Sequence, residues 1–165
     1  MSPIQTQTLN DLASDKHLYQ TLVDNNVNLV SGLATNYLNH YIEILLLLEI
    51  LPDMPECFED VLHWKPMSYK THVMQSGLPN NDIVLRAYAV VDEDRRNRLA
   101  MVADEANALL DVLMARAGVS IDRNDVSALK EVAHEAKERL SPLIERMTGI
   151  ITPSATTTKP FVDRI

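Results

Sequence analysis

A chain of 165 residues that is 46% hydrophobic has one domain's length and enough apolar content to bury a core, which excludes a wholly disordered protein. Four glycines and 5% aromatics weigh against a turn-rich β architecture. With 23 acidic against 15 basic residues, a net charge of −8, the chain is a poor match for phosphate backbones or anionic lipid, so no nucleic-acid partner is expected.

The opening MSPIQTQTLNDL lacks the basic and continuous apolar regions of a signal peptide. Residues 1–13 are polar and mixed and read as an arm. Ser14 or Asp15 can cap a helix to about Val23, and Asp24-Asn25-Asn26 reads as a break. From Val27 the positions Val30, Ala34, Tyr37, Tyr41, Ile44, Leu48 and Leu51 recur at alternating three and four, predicting one long helix that Pro52 stops. Within it, Tyr37–Leu51 is apolar almost all the way round. Such a helix is covered on several sides, either inside a bundle or by another subunit. Its Ile44–Leu48 run is far too short to span a bilayer.

Short pieces follow. Asp53-Met54-Pro55-Glu56 predicts an N-cap and a helix to about His63. Pro66 opens another that ends at Gly77, and Pro79-Asn80-Asn81 turns into a helix over 82–91. Asp92 or Asp94 then starts a long helix with Leu99, Val102, Ala106, Leu109 and Leu113 inside, ending at Gly118. Asp122 caps the last helix, whose heptad stripe is Val126, Leu129, Ala133, Ala136, Leu140, Leu143 and Met147. Pro142 should kink it, or Ser141 restart it. A short link makes the two antiparallel neighbours. Residues 150–165 read as an extended tail. The expected fold is all-α: a single domain over 14–149, with three to four long helices in a bundle and short helices covering the middle of the chain.

The last helix carries the sharpest chemical pattern. Ala133-His134-Glu135-Ala136-Lys137 places His134 one residue past a core position, hence toward solvent, with Lys137 one turn away. The A-H-x-x-K core resembles histidine phosphotransfer modules, and H-E-x-K resembles a histidine-kinase H-box. The resemblance implies that His134 accepts a phosphoryl group whose charge Lys137 offsets. The chain departs from those patterns at Glu138, where phosphotransfer modules have a small residue, and at Pro142, which comes too late for the H-box. No nucleotide-binding glycine pattern accompanies it.

Glu131-x-x-His134 has the spacing of carboxylate-bridged di-metal bundles, with Asp60-x-x-His63 and His40-x-x-Glu43 as partners. His134 points outward, however, so no metal ligand is assigned. Cys57, His63 and His72 have none of the established zinc spacings. As the only cysteine, Cys57 permits no intrachain disulfide, which suits a reducing, cytoplasmic protein. The sequence specifies no cofactor.

The densest recognition side chains lie between Cys57 and Tyr88, and His63, Trp64, Tyr69, His72 and Tyr88 are taken as a ligand or partner surface. Asn36, His40 and Glu43 share a polar face that either fixes helix register or lines a small pocket. Ile42, Leu45, Leu46 and Leu47 are the dimer or core face. Arg95 and Arg96, in the run Asp92–Arg98, read as a solvated face. Phe161 and Val162 suggest a docking segment.

No nucleophile–base set or phosphate loop can be assembled, which points away from an enzyme. The expectation is a non-catalytic interaction or regulatory protein whose partner is a protein, itself included, as a homodimer. The alternatives are a phosphotransfer module using His134 and Lys137, and a small-molecule or metal-binding bundle.

Overall fold

The computed structural model describes residues 16–154, and the proposed N-terminal arm and the docking residues Phe161 and Val162 lie outside them. Helix α1 spans residues 16–24, followed by α2 (Asn36–Ile50) and a single 3-10 turn (Pro55–Cys57). Three short helices come next: α3 (Phe58–His63), α4 (Tyr69–Gln75) and α5 (Asn81–Ala89). Two long helices, α6 (Glu93–Asp122) and α7 (Val126–Ile151), complete the all-α architecture. Among the described residues no helix is long and apolar enough to cross a membrane.

The α6–α7 hairpin is the frame, and α2 lies along α7. Leu99, Val102, Ala106, Leu109 and Leu113 of α6 are all buried, as their spacing requires. On α7 the buried row is Leu129, Val132, Ala136, Leu140, Leu143 and Met147. Val126 is exposed and Ala133 only half-buried, because the row runs through Val132. From α2 the fully buried side chains are Tyr41, Ile44 and Leu48, and Leu51 follows immediately after the helix. Each apolar side chain of that size contributes about 1.5–3 kcal/mol by leaving water.

Several helix boundaries differ from the sequence expectation. The helix read from Val27 begins only at Asn36. Asn26 has φ 58°, Asn28 Oδ1 accepts from the N–H groups of Val30 (2.9 Å) and Ser31 (3.1 Å), and Gly32 has φ 78°. Residues 27–34 therefore form a tight loop closed by a Val27–Ala34 antiparallel bridge. Met54 rather than Asp53 precedes the 3-10 turn, and α4 opens at Tyr69 rather than Pro66, capped by Ser68, whose hydroxyl accepts from Thr71 N.

Gly118 does not end α6. The helix runs on to Asp122 and stops at Asn124, which takes φ 51°. Asp125, not Asp122, caps α7 by accepting from Ala128 N. Neither Pro142 nor Gly149 breaks α7, and Ser141 does not restart it. Pro142 and Glu138, whose carbonyl loses its donor to the proline, both face solvent, so water satisfies what the ring removes. Ile150 and Ile151, expected in the tail, are buried at the end of α7.

Gly118 has a different use: a Cβ there would stand 3.2 Å from the Phe58 ring, so the missing side chain lets α3 seat against α6. Gly118→Leu is expected to lower stability by about 1–3 kcal/mol through overpacking. In a Phe58→Ala background, Gly118→Ala should instead gain up to about 1 kcal/mol of helix propensity. Denaturant unfolding of the wild type, Gly118→Leu, Phe58→Ala and the Phe58→Ala/Gly118→Ala double variant checks both signs.

Candidate functional site

After α3 the chain cannot stay helical. Trp64 is extended (φ −66°, ψ 134°), the ring of Pro66 holds that course, and Ser68 restarts a helix. The extended segment passes beside α2 and is bonded to it from both directions. His40 Nε2 lies 2.7 Å from the carbonyl of Lys65; a carbonyl only accepts, so this nitrogen carries the proton. In return, Trp64 Nε1 donates to the carbonyl of His40 at 2.8 Å, and the two rings stack with centroids 4.6 Å apart. The Tyr37 hydroxyl donates to Met67 O at 2.8 Å. Ala34 N donates to the Tyr69 hydroxyl at 2.7 Å.

Beyond this clasp the extended segment, α4 and α5 stand off the first half of α6, leaving a cleft of about 220 Å³. Its aromatic walls are Tyr37, Tyr69 and Tyr88, and its polar groups include Arg96, Asp104 and Asn107. Tyr69 and Tyr88 stack face to face, with centroids 4.7 Å apart and planes at 18°. Asn107 Oδ1 accepts from the Tyr41 hydroxyl at 3.1 Å. Burial pushes the Tyr37 and Tyr41 phenols up and takes Tyr69 to about 12, so these rings stay protonated and neutral. Among the residues lining the cleft, Arg96 and Asp104 carry the charge.

Arg96 is the anomaly of this site. Its Nε is buried with no acceptor among the described residues, while its guanidinium carbon lies 5.7 Å from the centroid of the Tyr88 ring. A buried donor without a partner costs about 1–3 kcal/mol, and somewhat more on a cation. The expectation that Arg95 and Arg96 form a solvated face is therefore corrected. Arg96 lines the cleft, and Arg95 turns the other way to donate from Nη1 to Ile150 O at the end of α7 (2.7 Å).

The residues singled out in the sequence scatter. Trp64, Tyr69, His72 and Tyr88 do gather around α2, Trp64 and Tyr69 buried, with His72 5.6 Å from Tyr37 and 5.8 Å from His40 by ring centroid. His63 is exposed at the end of α3. The polar face of α2 divides: Asn36 accepts from Asn26 Nδ2 (3.2 Å), His40 is buried against Lys65 O, and Glu43 is exposed. His134 is exposed on α7, while Lys137 reaches Glu49 of α2 at 3.9 Å and Glu135 is held by Arg116 and Arg139. Those two guanidinium groups keep the Glu135 carboxyl below its usual range. Among the described residues no three His, Cys, Asp or Glu side chains converge as a metal site.

The face Ile42–Leu47 also divides. Leu45 and Leu47 pack partly against the core. Ile42, Leu46 and Ile50 form a bare apolar row, 39%, 55% and 38% exposed.

Sequence reasoning missed Asp104 and Asn107 and gave Arg96 to a solvated face. A signal was present: Arg96, Ala100, Ala103, Asp104 and Asn107 recur at helical spacing beside the apolar stripe, and their small residues leave room. Comparison with protein-family models, curated proteins and solved structures finds no match to this chain, so the functional argument rests on these side chains.

Burial holds the pKa of both His40 and His72 below 6.5. As the pH falls below 6.5 the unfolded chain takes up protons that these folded-state imidazoles refuse. Stability present above that value is therefore lost on acidification, down to the folded-state pKa. Thermal melts at about pH 7.5 and about pH 5.5 should show a drop that is smaller in His72→Gln. Equal drops in the two proteins would assign the acid sensitivity to other groups.

Proposed function

We propose that this chain is a non-catalytic, regulatory helical domain that works by binding a small molecule in the cleft between the 64–68 segment, α5 and α6. The observation that carries the reading is the cleft itself, walled by neutral tyrosines and lined by the guanidinium-bearing Arg96. Pockets that recognise small molecules combine apolar and aromatic walls with a few placed polar groups. A guanidinium on the wall of such a cleft offers a ligand charge-assisted hydrogen bonds. Stacked and hydrogen-bonded tyrosines make a preformed surface, so little ordering is required on binding.

A fragment library screened by NMR tests this reading. Hits should move the resonances of Tyr37, Tyr69 and Tyr88. Ala100→Trp, a change at an exposed position of the lining, should fill the cleft and abolish binding while leaving the fold intact. A hit present at 100 times its Kd should stabilise the protein by about 2.7 kcal/mol. Hits confined to other surfaces, unaffected by Ala100→Trp, would overturn the assignment.

A second reading has its own observation. The row Ile42, Leu46 and Ile50 is self-complementary: an antiparallel copy of α2 would set Leu46 against Leu46 and Ile42 against Ile50. We propose that it is a homodimer contact. Sedimentation of the wild type should then show a dimer that Leu46→Glu converts to monomer. The fold should change by no more than about 0.5 kcal/mol, because the side chain is already exposed. A wild type that stays monomeric at high concentration removes this reading and leaves the cleft untouched.

A further inference from the structure

The charges on the cleft are arranged as well as its shape. Arg96 and Asp104 stand on the same side of α6, two helical turns apart, about 12 Å along the axis. Between them the floor is Leu99, Ala100 and Ala103, and the small side chains leave a flat space facing the tyrosines. A guanidinium presents parallel N–H donors that match a carboxylate in a bidentate pair, and it stays charged at every physiological pH. The Arg96 Nε is closed off from water, so a ligand meets the guanidinium end-on, at the two Nη groups. Asp104 at the far end accepts and does not donate.

The size of the space narrows the ligand further. About 220 Å³ exceeds the ~150 Å³ that admits a benzene ring in an engineered apolar cavity, so one ring with two substituents fits. A single cation in a protein of net charge −8, with the carboxylate of Asp104 lining the same cleft, offsets one negative charge and disfavours a dianion.

We propose that the cleft takes a small, planar monocarboxylate, an aromatic ring with a hydrogen-bond donor opposite its acid group. The carboxylate pairs with Arg96, the ring lies between the tyrosine wall and Ala100 and Ala103, and the donor meets Asp104. This assignment rests on the cleft being the ligand site.

Titration calorimetry of the whole protein with three probes tests it: 4-hydroxybenzoate, the neutral isostere 4-hydroxybenzamide, and benzoate, which lacks the donor. The wild type should prefer 4-hydroxybenzoate over the amide by about 10-fold or more. Benzoate should fall between them. Arg96→Gln should erase the preference for the acid, and Arg96→Lys, which keeps the charge but loses the fork, should retain part of it. Asp104→Asn should narrow the gap between 4-hydroxybenzoate and benzoate.

An amide that binds as well as the acid, or a preference that survives Arg96→Gln, overturns the carboxylate assignment. So does silence from all three probes when the fragment screen does find the cleft; the cleft reading then stands alone. Silence from the probes together with no fragment at the tyrosines ends both.

Discussion

The reciprocal clasp between α2 and the extended segment after α3 holds the rest of the site in place. His40 donates through its ring to Lys65 O and accepts through its carbonyl from Trp64 Nε1, while Tyr37 donates to Met67 O. An extended segment packed on a core has backbone carbonyls that need donors. Here side chains of α2 supply them, so the segment is held at a fixed distance from the helix. Because Tyr69 follows it directly and stacks on Tyr88, the same bonds position α4 and α5 over α6. The cleft exists because this clasp spaces the short helices off the hairpin.

The hairpin itself is tied down at its far end. The last carbonyls of α7 have no partners within the helix, yet Ile150 O accepts from Arg95 and Ile151 O from Ser31 Oγ (2.6 Å). Ser31 belongs to the tight loop before α2, and Arg95 to the start of α6. One helix terminus thus gathers three parts of the chain. Adjacent arginines in the sequence consequently do different work: Arg95 satisfies a helix end, and Arg96 turns into the cleft.

Electrostatically the site is quiet except at Arg96 and Asp104. Burial keeps the tyrosines protonated and the two histidines neutral, so the walls offer polar groups without charge. Against that background, among the described residues, the Arg96 guanidinium is the one cation lining the cleft and Asp104 the one anion. In a cleft partly shielded from water, such a group discriminates by charge more sharply than it would on an open surface.

How far the sequence reached can be judged element by element. The 3.6-residue periodicity marked the all-α class, the two long helices, the buried face of α6 and most of that of α7, because burial of a stripe is written directly into spacing. Side-chain density between Cys57 and Tyr88, not periodicity, put His63, Trp64, Tyr69, His72 and Tyr88 together as an expected surface. Periodicity failed where local backbone chemistry competes with pattern: the apolar spacing continued back to Val27, but Asn26, Asn28 and Gly32 turned that stretch into a loop. Gly118 looked like a helix end and proved to be a packing contact, since only the approach of Phe58 shows which use a glycine serves.

The site needed the tertiary structure for a similar reason. Tyr37, Tyr69, Tyr88 and Arg96 come from four separate helices. No spacing along the chain relates them. Periodicity determined which faces leave water; the hydrogen bonds between α2 and the 64–68 segment decided which polar groups meet, because their partners are backbone carbonyls, and these have no signature in the sequence.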